Sequence, residues 1–262
     1  MKCEEPNYLF TIGADAKTVK GEKHNYLTAI QFMLPHREVY KYPKFAKLLR
    51  RHGIKDHNAC WWAGYCKGPC LNTSGHGAMK PAQIARGKRT VFKLLEPEAY
   101  ESRAVQEVLD HTYRAHRKGM TPCVRPNGTT DEGYGWLIDI YPTVQFYDYT
   151  KSLKRVLTNK RDNYHLTFSY DGTPRNWSEC KRAINHGINV AICIGGNRED
   201  WPKKIYDRPV IDGDNLHGDL RFLDPKLKRG VFVGLSPKGK AKKLPVTGVG
   251  LQNGFVFQPV NS

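Results

Sequence analysis

Cys60, Cys66 and Cys70 stand close together in one short stretch, with the spacing C-x5-C-x3-C. A soluble globular chain has no packing reason to concentrate thiols in this way. Three thiolates presented by one loop are the ligands that soft metal ions and iron–sulfur clusters prefer. We therefore predict a metal centre held by these three cysteines, within a glycine-rich and aromatic loop that covers residues 60–77.

Two metal species fit such a set of thiolates. A structural zinc ion takes four closed protein ligands, usually in closely spaced pairs, which the C-x5-C-x3-C spacing suits poorly. A [4Fe–4S] cluster accepts longer spacings within one loop, and three cysteines leave one iron open to a substrate or cofactor. We favour the cluster, with zinc as the alternative. The candidates for a fourth ligand are His57, His76 and Cys123.

The elements around this loop can be predicted from hydrophobic patterning. A continuous apolar run from Tyr26 to Pro35 predicts a buried strand before the loop. A short helix is expected after Pro43, ending near Gly53, and a second one with a basic face over residues 81–95. The helix that opens at Pro97 has a stripe of residues at helical spacing, namely Val105, Val108, Leu109, Thr112, Tyr113 and His116.

From about residue 121 the chain becomes a regular alternation of short apolar strands and short helices. The predicted strands lie in TPCVRPNG, TVQFYDYT, YHLTFSYD, NVAICIGG, PVIDGD and GVFVGLS, and the helices in GWLIDIYP, KSLKRVLTNK and WSECKRAINHG. Such alternation indicates parallel βαβ units. We predict a single α/β domain over residues 1–262, built as a full or incomplete parallel (β/α) barrel with the cysteine loop after an early strand. An open doubly wound sheet is the main rival.

Polar residues recur where the predicted strands end, and in parallel α/β folds such ends converge on one face. We predict that substrate is handled by Asp131, Asp148 and Lys151, and that a cofactor is bound by Asn127, Gly128, Thr129, Ser169 and Asp212. Asn-Gly and Asp-Gly are also common turn formers, so each cluster has an alternative interpretation as a turn. Asp212, Asp214 and Asp219 could also suggest a hard-cation site, although their spacing matches no EF-hand loop.

The composition indicates the kind of partner and compartment. The chain has 42 Lys and Arg against 25 Asp and Glu, a formal charge of +17, which favours a nucleic acid or nucleotide partner. The run Ser236 to Lys243, SPKGKAKK, could meet phosphates. No apolar run is long enough to span a membrane, and two glutamates stand where a signal peptide is apolar. We therefore expect a cytoplasmic protein with reduced thiols and no membrane partner.

Several motifs, in the same order along most of the chain, resemble the gene product 88-like family of uncharacterised tailed-phage proteins. They are CLNTSGHG with the basic helix after it, VRPNGTTD, VQFYDYTK, NYHLTFSYD, VIDGDNLHGDLRFLDP and VGLSPKGKA. The resemblance implies a phage origin and expression in the cytoplasm of the host cell. It brings no activity with it.

A more distant likeness is to radical SAM enzymes, in which three cysteines after the first barrel strand hold a [4Fe–4S] cluster with one open iron. This likeness implies a radical-SAM-like barrel and binding of SAM. The usual spacing in those enzymes is C-x3-C-x2-C, and they have a Gly-Gly-Glu motif after the next strand. The nearest feature here is Asn127-Gly128-Thr129.

Three hypotheses about function follow. The first is a phage iron–sulfur protein, a [4Fe–4S] enzyme that acts on a nucleic acid or nucleotide. The second is a non-enzymatic nucleic-acid-binding protein in which a zinc ion stabilises the loop. In this hypothesis the phosphates are contacted by Lys67, Arg86, Lys88 and Arg89. The third is a host-directed inhibitor whose basic face grips an acidic host protein. The oligomeric state stays open.

Overall fold

The computed structural model describes residues 3–13, 19, 21–214, 230–244, 246–247 and 254–257. The chain divides into two compact units. Unit 1 comprises Met1–Trp61 and Gly75–Phe146, and unit 2 comprises Trp62–Ser74 and Tyr147–Ser262. The expectation of a single domain stays a prediction.

The strands of unit 1 form a mostly parallel sheet. They are β1 (Phe10–Ile12), β2 (Tyr26–Gln31), β3 (Thr121–Arg125) and the first two residues of β4 (Gln145–Thr150). β1 pairs antiparallel with β2, whereas β2, β3 and β4 run parallel, with Ala29 opposite Val124 and Val124 opposite Phe146. Every residue of β2 after Tyr26 is buried, as the apolar run predicts.

Unit 1 also contains the larger helices. They are α1 (Pro43–Arg51), α2 (Lys80–Leu95), α3 (Pro97–Arg117) and α4 (Gly135–Ile140). Proline stands in the first turn of α1, α2 and α3, where its missing N–H costs nothing. The predicted positions of these helices are confirmed. The predicted stripe of α3 is partly wrong, because the buried side chains are Tyr100, Ala104, Val108, His111 and Ala115, whereas Tyr113 and His116 lie exposed.

The basic face predicted for α2 is also wrong for its two arginines. Arg86 and Arg89 are buried, with the Arg86 guanidinium 5.2 Å from the centre of the Phe32 ring. A guanidinium is flat and weakly hydrated, so it packs on aromatic rings more readily than an ammonium group does. Gly87 is also explained by packing, because a Cβ there would lie 2.0 Å from Cε2 of Phe45.

Unit 2 contains the rest of β4 and a second row of mostly parallel strands. They are β5 (Tyr164–Ser169), β6 (Val190–Ile194), β7 (Lys204–Ile205), β8 (Arg208–Asp212), β9 (Phe232–Leu235), β10 (Val246–Thr247) and β11 (Val256–Phe257). β5, β6, β9 and β8 are neighbours in that order and run parallel, and β7 pairs antiparallel with β8. β11 runs parallel to both β6 and β10. Helices α5 (Leu153–Thr158) and α6 (Pro174–Asn185) pack on this row.

The fold is therefore a mixed α/β structure with mostly parallel strands, as the alternating pattern predicts. The strand order within each unit is open, and antiparallel strands, β1 in unit 1 and β7 in unit 2, end the rows. The barrel is not confirmed. No helix within the described part of the chain is both long and apolar enough to cross a membrane.

Candidate functional site

The three clustered cysteines are divided between the two units. Cys60 belongs to unit 1, whereas Cys66 and Cys70 belong to unit 2. Cys60 is buried, and the other two are half-buried. Among the described residues, no three His, Cys, Asp or Glu side chains are grouped so that they could hold a metal ion. The structure thus presents no ligand set for a cluster or for zinc, and the metal centre stays a prediction from the spacing.

Cys60 lies beside the turn that follows β3. The Asp131 amide donates to the carbonyl of Ala59, with an N···O distance of 2.8 Å, and the Ala59 amide donates to the carbonyl of His36 at 3.2 Å. The Cys60 amide donates to Oδ1 of Asn58 at 3.0 Å. These bonds tie the first thiol to the carboxyl end of β3, where the sequence predicts that polar groups collect.

Cys66 is tied in a similar way to the carboxyl end of β5 in unit 2. Its amide donates to the carbonyl of Asp171 at 3.1 Å. Gly64 packs so closely there that a Cβ would lie 2.3 Å from Oδ2 of Asp171 and 2.6 Å from Cγ2 of Thr173. Burial raises the pKa of the Cys66 thiol; the charge of Asp171 also raises it, and Lys151 opposes this. The predicted residue Lys151 therefore lies near this thiol.

The predicted cofactor residues of unit 1 form a turn that satisfies its own polar groups. Oδ1 of Asn127 accepts from the Thr130 hydroxyl at 2.8 Å and from the Glu132 amide at 2.9 Å, and Nδ2 donates to the Glu132 carbonyl at 2.9 Å. The Gly128 amide donates to Gln31 O at 2.8 Å, and the Thr129 hydroxyl donates to a backbone carbonyl of the segment after β2. Asn127 is 2% exposed, and its role in binding a cofactor stays a prediction.

Asp148 is a buried strand residue of unit 2. Its Oδ2 accepts from the Tyr164 hydroxyl at 3.0 Å, and that hydroxyl accepts from Nη2 of Arg155 at 3.0 Å. With 1% of its surface exposed, Asp148 faces protein rather than solvent. Ser169, at the end of β5, is half-buried. Asp148 therefore lies in a packed polar network, unlike Lys151, which approaches the cysteine loop.

The aspartates after β8 form an ion-pair network with basic residues. Oδ1 of Asp214 lies 2.8 Å from Lys238 Nζ, and its Oδ2 accepts from the Ser236 amide at 2.8 Å. Arg198 lies 3.5 Å from both Asp212 and Asp214. Asp219, the third aspartate of the suggested hard-cation site, lies outside the described residues. Asp212 and Asp214 are thus each paired with at least one basic side chain.

A buried polar network in unit 1 has no counterpart in the sequence prediction. The hydroxyls of Tyr100 and Tyr134 both lie 2.8 Å from Oε1 of Gln31. Lys93 Nζ donates to the Tyr134 hydroxyl at 3.2 Å and lies 3.0 Å from Oε2 of Glu132. These residues are far apart in the sequence, and no spacing motif could have identified them. The network joins α2 and α3 to the end of β2.

The aromatic side chains of the cysteine loop point out of unit 2. Trp62 is 51% exposed and Tyr65 is 41% exposed, and Lys67 and Leu71 are exposed as well. Contiguous exposed apolar surface is typical of interaction sites, which makes this part of the loop a candidate.

A basic turn packs against the later part of the same loop. The 3-10 turn Leu71–Thr73 contacts the 3-10 turn Gly239–Lys243, and a Cβ on Gly239 would lie 2.2 Å from Oγ of Ser74. The exposed lysines of this turn form no ion pair with any described residue. The unit 2 face, as we call it, consists of Trp62, Tyr65, Lys67, Leu71, Lys240, Lys242 and Lys243. The sequence identified both segments but not their contact.

Comparison with known proteins gives one match. The family model described as Gene product 88 matches residues 9–245. No curated protein and no solved structure matches the chain. These findings do not support the likeness to radical SAM enzymes.

Proposed function

The chain belongs to the phage gene product 88-like family, and on that premise we propose that it binds single-stranded nucleic acid through the unit 2 face. The proposal rests on one observation, the packing of Leu71–Thr73 against Gly239–Lys243. That packing brings the lysine-bearing turn against the loop that carries the exposed rings of Trp62 and Tyr65. The proposed place of action is the cytoplasm of the host cell.

The chemistry of the face suits a single strand. Unpaired bases stack on aromatic rings, and each stacked base contributes about 1–3 kcal/mol whatever its identity. Lys240, Lys242 and Lys243 would meet phosphates, and the formal charge of +17 would draw a polyanion towards the protein. Lys238 is not part of the face because it is paired with Asp214.

The ring contribution can be tested with the variant Trp62→Ala/Tyr65→Ala and a fluorescent oligo-dT. We expect its Kd to rise at least tenfold, because stacking is lost while the lysines remain. Tyr113→Ala removes a more exposed ring from α3 in unit 1 and should leave the Kd unchanged. If the double variant binds oligo-dT like the wild type, the proposal is wrong.

The lysine contribution can be tested by salt dependence. For single strands, log K falls with log salt by about 0.7 for each phosphate contact, so Lys240→Gln/Lys242→Gln/Lys243→Gln should flatten the slope by about 2. A matched triple substitution of Lys47, Lys55 and Lys118, all exposed in unit 1, should not change it. Polyglutamate serves as the competitor. If it binds as tightly as oligo-dT, the rings do not matter and the face fits an acidic host protein better.

The iron–sulfur enzyme remains a second candidate. What favours it is that Cys60 and Cys66 are each tied to the carboxyl end of a parallel strand, beside Asp131 and beside Asp171 with Lys151. Cys60, Cys66 and Cys70 would be the ligands. Anaerobically purified protein with a band near 400 nm, lost when all three cysteines become alanine, would support it. A colourless protein with one equivalent of zinc would support the zinc alternative instead.

A further inference from the structure

Unit 1 contains a cleft that the proposed function does not use. Its volume is about 460 Å³, and it lies between the N-terminal segment and the first turns of α2. Tyr8, Lys80, Pro81, Ile84, Lys88 and Arg89 supply most of its walls. The volume is in the range of small-molecule sites, and the walls mix apolar surface with a few polar groups, as such sites do.

The charged groups that line the cleft are all positive. Lys80 is exposed and forms no ion pair with any described residue. Lys88 Nζ lies 2.7 Å from Oε2 of Glu4, which also pairs with Lys44 at 2.6 Å. The hydrogen bonds from Lys44 and then Lys88 lower the pKa of Glu4 to about 2, so this carboxylate stays charged. One cation of the cleft is therefore neutralised and two remain.

Arg89 brings a buried positive charge to the wall. It is 4% exposed, and its Nε and Nη1 donate to the carbonyls of Tyr8 and Phe32 at 2.8 and 3.1 Å. Carbonyl oxygens satisfy the N–H groups but do not cancel the charge. The charge of Glu107 also interacts with Arg89. The Glu107 carboxylate, however, accepts from Arg103 at 3.0 Å and from the backbone amides of Leu9 and Phe10. The cleft thus offers favourable electrostatics to an anion.

Tyr8 supplies a flat surface in a fixed position. The Arg89 guanidinium carbon lies 4.6 Å from the centre of the Tyr8 ring, and the same guanidinium holds the Tyr8 carbonyl. The side chain of Tyr8 is nevertheless 47% exposed. A ring that is held in place by a cation and still open to solvent can stack on a planar ligand without first losing much conformational freedom.

We propose that this cleft binds a nucleotide unit, with the planar base against Tyr8 and the phosphate near Lys80 and Arg89. The shared chemistry is a ring joined to a phosphate, which either a free mononucleotide or the 5′-phosphorylated end of a strand supplies. The inference is independent of the unit 2 face, because every residue that it uses belongs to unit 1.

Calorimetric titration of the full chain with AMP tests the site. We expect saturable binding, with adenosine and inorganic phosphate each at least tenfold weaker than AMP, because each retains only half of the contacts. Tyr8→Leu and Lys80→Gln should each raise the Kd for AMP at least fivefold. Tyr113→Leu and Lys47→Gln, which change an exposed ring and an exposed lysine elsewhere in unit 1, should leave it unchanged. Circular dichroism checks that the variants fold, and Lys80 is exposed enough to be replaced safely.

Two oligo-dT strands, one with a 5′-phosphate and one without, distinguish the sources of the ligand. If Tyr8→Leu weakens only the phosphorylated strand, the site takes strand ends; if it weakens AMP alone, the site takes free nucleotides. The inference is overturned if neither AMP nor the phosphorylated strand binds in a saturable way, or if both bind equally well to Tyr8→Leu and Lys80→Gln. AMP binding that is lost only in Trp62→Ala/Tyr65→Ala also overturns it. If Trp62→Ala/Tyr65→Ala leaves the Kd for oligo-dT unchanged, only the proposal for the unit 2 face is wrong, and the nucleotide site in unit 1 is not affected.

Discussion

Two clusters of polar and aromatic side chains, one in each unit, lie in opposite environments. In unit 1, the side-chain amide of Asn127 forms hydrogen bonds within its own turn, and the hydroxyls of Tyr100 and Tyr134 donate to the buried side chain of Gln31. In unit 2, Trp62 and Tyr65 are exposed, on the loop that the lysine-bearing turn contacts. The cluster of unit 1 therefore supports internal structure, whereas the cluster of unit 2 is open to solvent.

The cations show the same contrast. Arg86 and Arg89 of unit 1 are buried against rings and carbonyls, whereas Lys240, Lys242 and Lys243 of unit 2 are exposed. Arginine can be buried because its planar group makes several hydrogen bonds at once, whereas the lysine ammonium is strongly hydrated. A count of positive residues therefore overstates the charge that is available to a partner. Counting lysines separately from arginines corrects part of this error, because the arginines are the ones that can be buried.

The largest effect on stability is expected from a feature that the two units share, because each contains a buried histidine. Burial lowers the pKa of His111 in unit 1 and of His165 in unit 2 to about 4. Between pH 6.5 and 4 the unfolded chain binds protons that the folded chain does not, so acidification must lower the free energy of unfolding. Each histidine should account for about 3 kcal/mol. Urea unfolding at pH 7 and pH 4 measures the loss, and His111→Gln or His165→Gln should reduce it. A pH-independent stability in this range would contradict the burial of both.

Asn127→Ala breaks the inward-facing turn of unit 1. It leaves the Thr130 hydroxyl and the Glu132 amide without an acceptor, and buried groups of this kind cost about 1–3 kcal/mol each. We expect the free energy of unfolding to fall by about 3 kcal/mol. Asn197→Ala in unit 2 is the matched control, because Asn197 is exposed and makes no side-chain cap bond. Equal effects of the two substitutions would remove this contrast between the units.

Gly64→Ala tests how the cysteine loop is attached in unit 2. The added Cβ would lie 2.3 Å from Oδ2 of Asp171, so the loop must shift, at a cost of about 1–3 kcal/mol. Gly68→Ala is a control on the same loop, because the nearest atom to its Cβ lies 4.0 Å away and its backbone is helical. Thermal unfolding should separate the two variants. If Gly64→Ala is as stable as Gly68→Ala, the loop is not held at Asp171.

The smallest effect on stability is expected for the rings of the unit 2 face. Trp62→Ala/Tyr65→Ala should change the free energy of unfolding by no more than about 0.5 kcal/mol, as surface substitutions usually do. Urea unfolding of this variant checks the value. A loss of several kcal/mol would mean that the rings support the fold, and any loss of nucleic-acid binding would then be indirect.

Much of the secondary structure could be predicted from local signals. Prolines at positions 43 and 97 mark the starts of α1 and α3, and short apolar runs mark the strands. The predictions that were wrong concern features that depend on contacts between residues far apart in the sequence. Nothing near Arg89 in the sequence reveals that the Tyr8 and Phe32 carbonyls satisfy it. For the same reason, cysteine spacing alone could not reveal that Cys60 and Cys66 belong to different units.

The passage of residues 62–74 into unit 2 has a consequence for synthesis on the ribosome. This segment is made before any of the rest of unit 2, yet its attachment point at Asp171 and Thr173 is made much later. All residues of unit 1 have been synthesised once Phe146 has been added, so unit 1 can fold first. At that stage residues 62–74 have no unit 2 to pack against. Trp62 and Tyr65 would then be present in the growing chain before the surface that they finally join has been synthesised.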